Sequence, residues 1–65
     1  MYTVIQFSHG EVYDRAEFDD YWEAWEWFTF LRACYIKFHL CTDLCVLASE
    51  EGEWLHTLAG NGELD

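Results

Sequence analysis

The first residues of the chain alternate in a way that predicts a β-strand over Tyr2–Ser8. Alternate residues of a strand point to opposite faces of a sheet, and Thr3, Ile5 and Phe7 occupy one of these two sets. We therefore expect Thr3, Ile5 and Phe7 to face the core. The pair His9–Gly10 then predicts a break.

The next segment has the periodicity of an amphipathic helix. Asp14 is followed three residues later by Glu17, a capping-box arrangement that predicts a helix beginning near Arg15. At about 100° per residue, the large apolar side chains share one arc. They are Phe18, Tyr21, Trp22, Trp25 and Phe28. The acidic side chains lie opposite and are Asp19, Asp20, Glu23 and Glu26.

Two interpretations of the following segment remain open, because no Gly or Pro marks the end of the helix between Trp27 and Thr42. In the first, the helix ends near residues 32–34 and the alternation from Tyr35 predicts a second strand. In the second, a single helix continues to about His39 and is followed by one hairpin.

The last third of the chain predicts a hairpin in both interpretations. Its strands are Leu44–Ser49 and Trp54–Leu58, joined by a turn over residues 50–53, and residues 60–65 form a frayed polar tail. The predicted fold is α+β, with one amphipathic helix packed on a small, mostly antiparallel sheet. The predicted element order is β-α-β-β-β or β-α-β-β.

Composition supports a single domain over residues 1–65. Four Trp, four Tyr and five Phe can fill the core of so short a chain, because aromatic rings bury a large area each. The longest uncharged run, Met1–Gly10, is too short to span a membrane, and no basic segment precedes it. We expect a soluble, cytoplasmic monomer with reduced cysteines.

Charge changes the functional picture most. The chain has 13 acidic and 3 basic residues and a formal net charge of -10, which argues against direct binding of nucleic acid and predicts a basic partner. On a helix, the four acids between Asp19 and Glu26 would be spaced about 3.5 Å apart on average. That density is close to the roughly 3.4 Å between phosphates of one DNA strand. Solubility would need far fewer like charges, so we expect a partner that uses them.

The predicted partner-binding surface combines these acids with aromatic anchors beside them. Its residues are Glu17, Asp19, Asp20, Glu23, Glu26, Trp27, Phe30, Asp43, Glu50, Glu51 and Glu53. An alternative is that Trp27 and Phe30 complete the core or a dimer interface. Another is that the acids only solvate one face.

Catalysis and cofactor binding have little support in the sequence. His9 and His56 lack a recognisable nucleophile partner, and no phosphate-binding Gly loop occurs, so we expect no enzymatic activity and no cofactor. His39, Cys41 and Cys45, with Cys34 nearby, contain zinc-ligand types without a C-x-x-C pair. A metal-binding protein is therefore an alternative, and no metal site is predicted.

The stripe from Glu17 to Glu26 and the acidic turn Glu50-Glu51-Gly52-Glu53 give the chain a resemblance to the small acidic anti-CRISPR proteins that bacteriophages encode. The resemblance covers size and charge over the whole chain. It implies a DNA-mimic inhibitor, acting in the bacterial cytoplasm, that blocks target-DNA binding by a type I CRISPR effector, possibly type I-C. The alternative in the same class of partner-binding proteins is an antitoxin or phage regulator that uses Trp27 and Phe30 more than the carboxylates.

Overall fold

The computed structural model describes residues 1–38, 43–59 and 64 of the chain. One helix packs on a four-stranded antiparallel sheet with strand order β2-β1-β3-β4, which confirms the predicted α+β class. The element order is β-β-α-β-β, so both predicted orders are wrong. The elements are β1 (Tyr2–Ser8), β2 (Glu11–Phe18), α1 (Tyr21–Phe38), β3 (Leu44–Ala48) and β4 (Trp54–Ala59).

A tight hairpin explains why residues 11–18 form a strand. The predicted break at His9 and Gly10 is confirmed, and both residues have positive φ, 54° and 79°. Two successive residues of this kind form the turn whose twist suits antiparallel strands, so β2 pairs back onto β1. The predicted helix start near Arg15 is wrong. Asp14 and Glu17 lie within β2 and do not form a capping box.

The helix begins at Tyr21 because Asp20 caps it. The Asp20 Oδ1 accepts a hydrogen bond from the Trp22 N–H at 3.2 Å, and the Asp20 carbonyl accepts one from the Ala24 N–H at 3.2 Å. The helix continues to Phe38, so its predicted end near residues 32–34 and the predicted strand from Tyr35 are wrong. The second interpretation, one long helix followed by a single hairpin, is correct.

The buried stripe of α1 differs from the predicted apolar arc. Its members follow one another at intervals of four, three and four residues, and they are Ala24, Phe28, Leu31 and Tyr35. Tyr35 is fully buried, so the helix must continue past residue 34 to complete this stripe. Trp22, which the arc included, is 67% exposed, and Phe18 belongs to β2.

The sheet face that carries the core is also the opposite of the predicted one. Val4 and Gln6 are buried on the helix side, whereas Thr3, Ile5 and Phe7 are only partly buried and point the other way. A polar Gln6 is tolerated inside because its Oε1 accepts a hydrogen bond from the Tyr35 hydroxyl at 2.6 Å.

The predicted β3–β4 hairpin is confirmed to within one residue at the end of each strand. Its turn is closed by a hydrogen bond from the Gly52 N–H to the Ser49 carbonyl at 3.0 Å, with Gly52 at φ 85°. Of the predicted polar tail, only Leu64 lies within the described residues, and it forms a bridge with Leu58. In the part of the chain that the structure describes, no helix is long and apolar enough to cross a membrane.

Candidate protein-interaction surface

An open groove lies between the end of β2 and the adjacent flank of α1. It has a volume of about 390 Å³, and its lining residues are Phe18, Glu23, Glu26, Trp27 and Phe30. We call it the acidic-aromatic groove. Four of its five lining residues belong to the predicted partner-binding surface, and Phe18 is added by the fold. The groove thus joins the acidic and aromatic parts of the prediction in one place.

Two stacked rings form the apolar part of the acidic-aromatic groove. The ring centroids of Trp27 and Phe30 are 5.4 Å apart and their planes are inclined by 22°. Trp27 is half-buried against the core cluster, whereas Phe30 remains 55% exposed. Packing against the core restricts the Trp27 ring, which lowers the conformational entropy that this side chain loses on binding.

Two carboxylates border these rings. Glu23 and Glu26 are exposed and lie three residues apart on α1, which places them on one side of the helix. Each stands four residues before one of the stacked rings, Glu23 before Trp27 and Glu26 before Phe30. Among the described residues, neither carboxylate forms an ion pair. Both charges are therefore available to a partner that contacts the rings.

The regular row of acids expected from Asp19 to Glu26 is absent, because Asp19 and Asp20 precede the helix. Asp20 is engaged as the helix cap. Glu17 lies on β2 next to Phe18 and therefore points to the opposite face of the sheet, where its Oε2 is 3.5 Å from the Arg15 guanidinium. The spacing argument for four phosphate-like charges along one helix thus fails, and two carboxylates remain at the groove.

The acids of the β3–β4 turn and Asp43 do not line the acidic-aromatic groove. Glu50, Glu51 and Glu53 are at the end of the β3–β4 hairpin, and Glu50 pairs with the Met1 amino group at 3.1 Å. This turn lies at the same end of the sheet as Phe18, because Tyr2 pairs with Phe18 and Thr3 with Ala48. Asp43 accepts a hydrogen bond from the His9 N–H at 2.6 Å, beside the β1–β2 turn.

A contact between α1 and β4 holds the other flank of the helix. The Tyr21 hydroxyl and His56 Nε2 are 2.9 Å apart, and the His56 ring lies 4.8 Å from the Trp25 ring, centroid to centroid. These residues are separated by more than thirty positions, so local patterns contain no signal for this contact. It attaches the first turn of the helix to β4 and gives His56 a structural role.

The cysteines separate into distinct environments. Cys45 is fully buried, and burial raises the pKa of its thiol to about 11. Cys34 is half-buried, and both are free thiols. His39 and Cys41, from the alternative zinc set, lie outside the described residues. Among the residues that are described, no group of three or more His, Cys, Asp or Glu side chains could hold a metal ion.

Comparison with known proteins adds no relative to this picture. No protein-family model, curated protein or solved structure matches the chain.

Proposed function

We propose that this protein is a non-enzymatic inhibitor that binds a basic, nucleic-acid-binding protein through the acidic-aromatic groove and so prevents that protein from binding DNA. The observation that carries the proposal is the meeting of Glu23, Glu26, Trp27 and Phe30 in one groove. The target class suggested by the resemblance is a type I CRISPR effector in the bacterial cytoplasm.

Charge supports a cationic target surface. The chain has 13 acidic against 3 basic residues, so its field attracts a groove built from Lys and Arg and repels nucleic acid itself. Proteins that bind a DNA backbone present such cationic surfaces. An acidic protein seated there excludes DNA both by occupying the groove and by neutralising its charge.

The aromatic pair supports a contact that is more than electrostatic. Buried aromatic side chains dominate the energy of protein interfaces, whereas exposed ion pairs contribute about 0–1 kcal/mol each. Trp27 and Phe30 would therefore supply most of the affinity, and Glu23 and Glu26 would supply orientation and rate of encounter. The proposed mimicry of DNA therefore depends on the negative charge of the surface and does not require carboxylates spaced like the phosphates of a DNA strand.

The second candidate is an interaction module, such as an antitoxin or phage regulator, that binds through Trp27 and Phe30 to a partner surface which does not contact nucleic acid. The exposed Phe30 ring, stacked on the half-buried Trp27 ring, favours it, because an apolar contact needs no cationic groove. The two candidates differ in whether DNA competes with the protein for its partner.

Competition between this protein and target DNA for a purified type I effector distinguishes them. The test variant is Glu23→Gln with Glu26→Gln, and the matched control is Glu51→Gln with Glu53→Gln, which removes the same charge from residues that do not line the groove. We expect the first pair to weaken DNA displacement by about tenfold or more and the control pair to weaken it by about threefold or less. Trp27→Ala should weaken displacement while preserving its salt dependence.

Two results would contradict the proposal. The first is displacement of DNA that is unaffected by the groove substitutions, which would exclude this face. The second is binding of the effector without any displacement of DNA, with Trp27→Ala abolishing that binding, which would favour the interaction module.

A further inference from the structure

The free edge of β2 borders the acidic-aromatic groove. β2 is an edge strand of the sheet, and in the described part of the chain it pairs only with β1. It is eight residues long, and all its residues except Ala16 and Phe18 are exposed. The register with β1 shifts between Val12 and Asp14 and leaves Tyr13 without a Cα partner. The regular part of the free edge is therefore residues 14–18, whose unpaired backbone N–H and C=O groups can pair with another extended chain.

The two edges of the sheet differ. Next to β4, Leu64 forms a bridge with Leu58, so a described residue already lies beyond that strand. β2 has no such neighbour among the described residues, and its exposed side chains include Val12 and Tyr13, at 60% and 68% exposure. Access to an extended partner is therefore greater at β2.

The groove and the edge form one continuous surface. Phe18, the last residue of β2, lines the acidic-aromatic groove together with Trp27 and Phe30 of α1. A strand added beside β2 would lie about 4.8 Å beyond it, and alternate side chains of that strand would point toward the helix. Those side chains would enter the groove, while the intervening ones would point toward Glu17 on the other face.

We propose that the partner contributes an extended basic segment that adds as a fifth strand to the free edge of β2 and places alternate side chains in the acidic-aromatic groove. The inference rests on the proposed function, because it specifies how the basic partner binds. Main-chain hydrogen bonds to β2 supply affinity, and the groove supplies selectivity for alternating apolar and Lys or Arg side chains.

Charge selects this occupant over a second copy of the chain. The strand and groove carry five carboxylates and one guanidinium, Arg15. The carboxylates belong to Glu11, Asp14, Glu17, Glu23 and Glu26. Pairing of two β2 edges would bring the three β2 carboxylates of each copy onto neighbouring strands, where like charges are destabilising. A Lys- or Arg-bearing segment gains attraction at the same positions.

The experiment uses a nine-residue peptide in which Lys alternates with Val, capped at both ends, and the full-length protein. The matched control is the same peptide with every backbone nitrogen methylated, which removes the hydrogen-bond donors on both edges of the peptide strand and keeps charge and side chains. We expect the methylated peptide to bind about tenfold or more weakly. In the complex with the unmodified peptide, hydrogen exchange should slow at alternate amides of β2.

Equal binding of the two peptides, or unchanged exchange at β2, would overturn strand addition. Protection of alternate β2 amides in the free protein that rises with its concentration would identify a second copy as the occupant, which also overturns the proposal. If the alternating peptide fails to bind while the protein still displaces DNA from the effector, strand addition is wrong and the proposed function stands. If the peptide binds but the protein does not displace DNA, strand addition stands and the proposed function is wrong.

Discussion

Replacement of Tyr35 by Phe tests the buried polar network that joins the helix to the sheet. The Tyr35 hydroxyl donates a hydrogen bond to Gln6 Oε1 at 2.6 Å. Gln6 in turn donates from Nε2 to Asp14 Oδ2 on β2 at 3.3 Å. Tyr35→Phe keeps the ring in the core and removes only the hydroxyl, so Gln6 Oε1 loses its donor.

The expected cost follows from leaving that acceptor buried without a partner. Gln6 is 5% exposed, and an unsatisfied buried group of this kind costs about 1–3 kcal/mol. For 65 residues the entropy of unfolding is about 0.14 kcal/mol per kelvin, so each kcal/mol corresponds to roughly 7 °C in melting temperature. We therefore expect Tyr35→Phe to lower the melting temperature by about 7–20 °C.

Thermal and urea unfolding of a double-mutant cycle measures the effect. Its members are the wild type, Tyr35→Phe, Gln6→Leu and the double variant. Because the double variant replaces both polar partners with apolar groups, we expect it to lose less free energy of unfolding than the sum of the single variants, by about 1 kcal/mol or more. Additive losses, or a Tyr35→Phe variant as stable as the wild type, would refute the assignment of this bond.

Three further predictions concern the turn, the thiols and the charge. His9→Asn should raise the free energy of unfolding by about 0.5–1 kcal/mol in urea titration, because Asn tolerates positive φ and Asn-Gly suits this turn. Burial raises the pKa of Cys45 in the folded chain to about 11, against an ordinary 9.0, so the thiol ionises more readily in the unfolded chain. The free energy of unfolding is therefore unaffected by this thiol below pH 9 and falls by up to about 3 kcal/mol toward pH 11. The Cys45→Ala variant should not show this fall between pH 9 and pH 11. In the wild type, Cys34 should react with a thiol reagent before Cys45. Salt of about 0.5 M should raise the melting temperature by screening the net charge of -10, and the Glu23→Gln, Glu26→Gln pair should show a smaller salt effect.

The parts of the fold that the sequence predicts correctly depend on local turn chemistry and alternation. The pair His9–Gly10 and the residue Gly52 marked two of the turns, and the strands beside them were located to within one residue where they were predicted at all. The strand over Glu11–Phe18 was missed because an acid three residues after Asp14 also fits a helix cap. Pairing with β1 decides between these outcomes, and it is a tertiary effect.

Prediction of the core face and the site met a different limit. Alternation in β1 defines two faces, but only the position of the helix decides which face is covered. Gln6 can lie on the covered face because its Oε1 accepts a hydrogen bond from the Tyr35 hydroxyl. Glu23, Glu26, Trp27 and Phe30 were predicted because helical spacing places them close together. Phe18 was assigned to the helix, since nothing local shows that β2 would bring it to that flank.

Binding of the protein to a purified type I effector, measured with and without target DNA already bound, shows whether the protein and DNA compete for one surface. Mimicry of DNA predicts binding to the DNA-free effector that weakens steeply as salt rises from about 50 to 300 mM. It also predicts about tenfold or more weaker binding to the DNA-loaded effector. Equal affinity for the two forms would contradict it, because the protein would then occupy a surface that DNA leaves open.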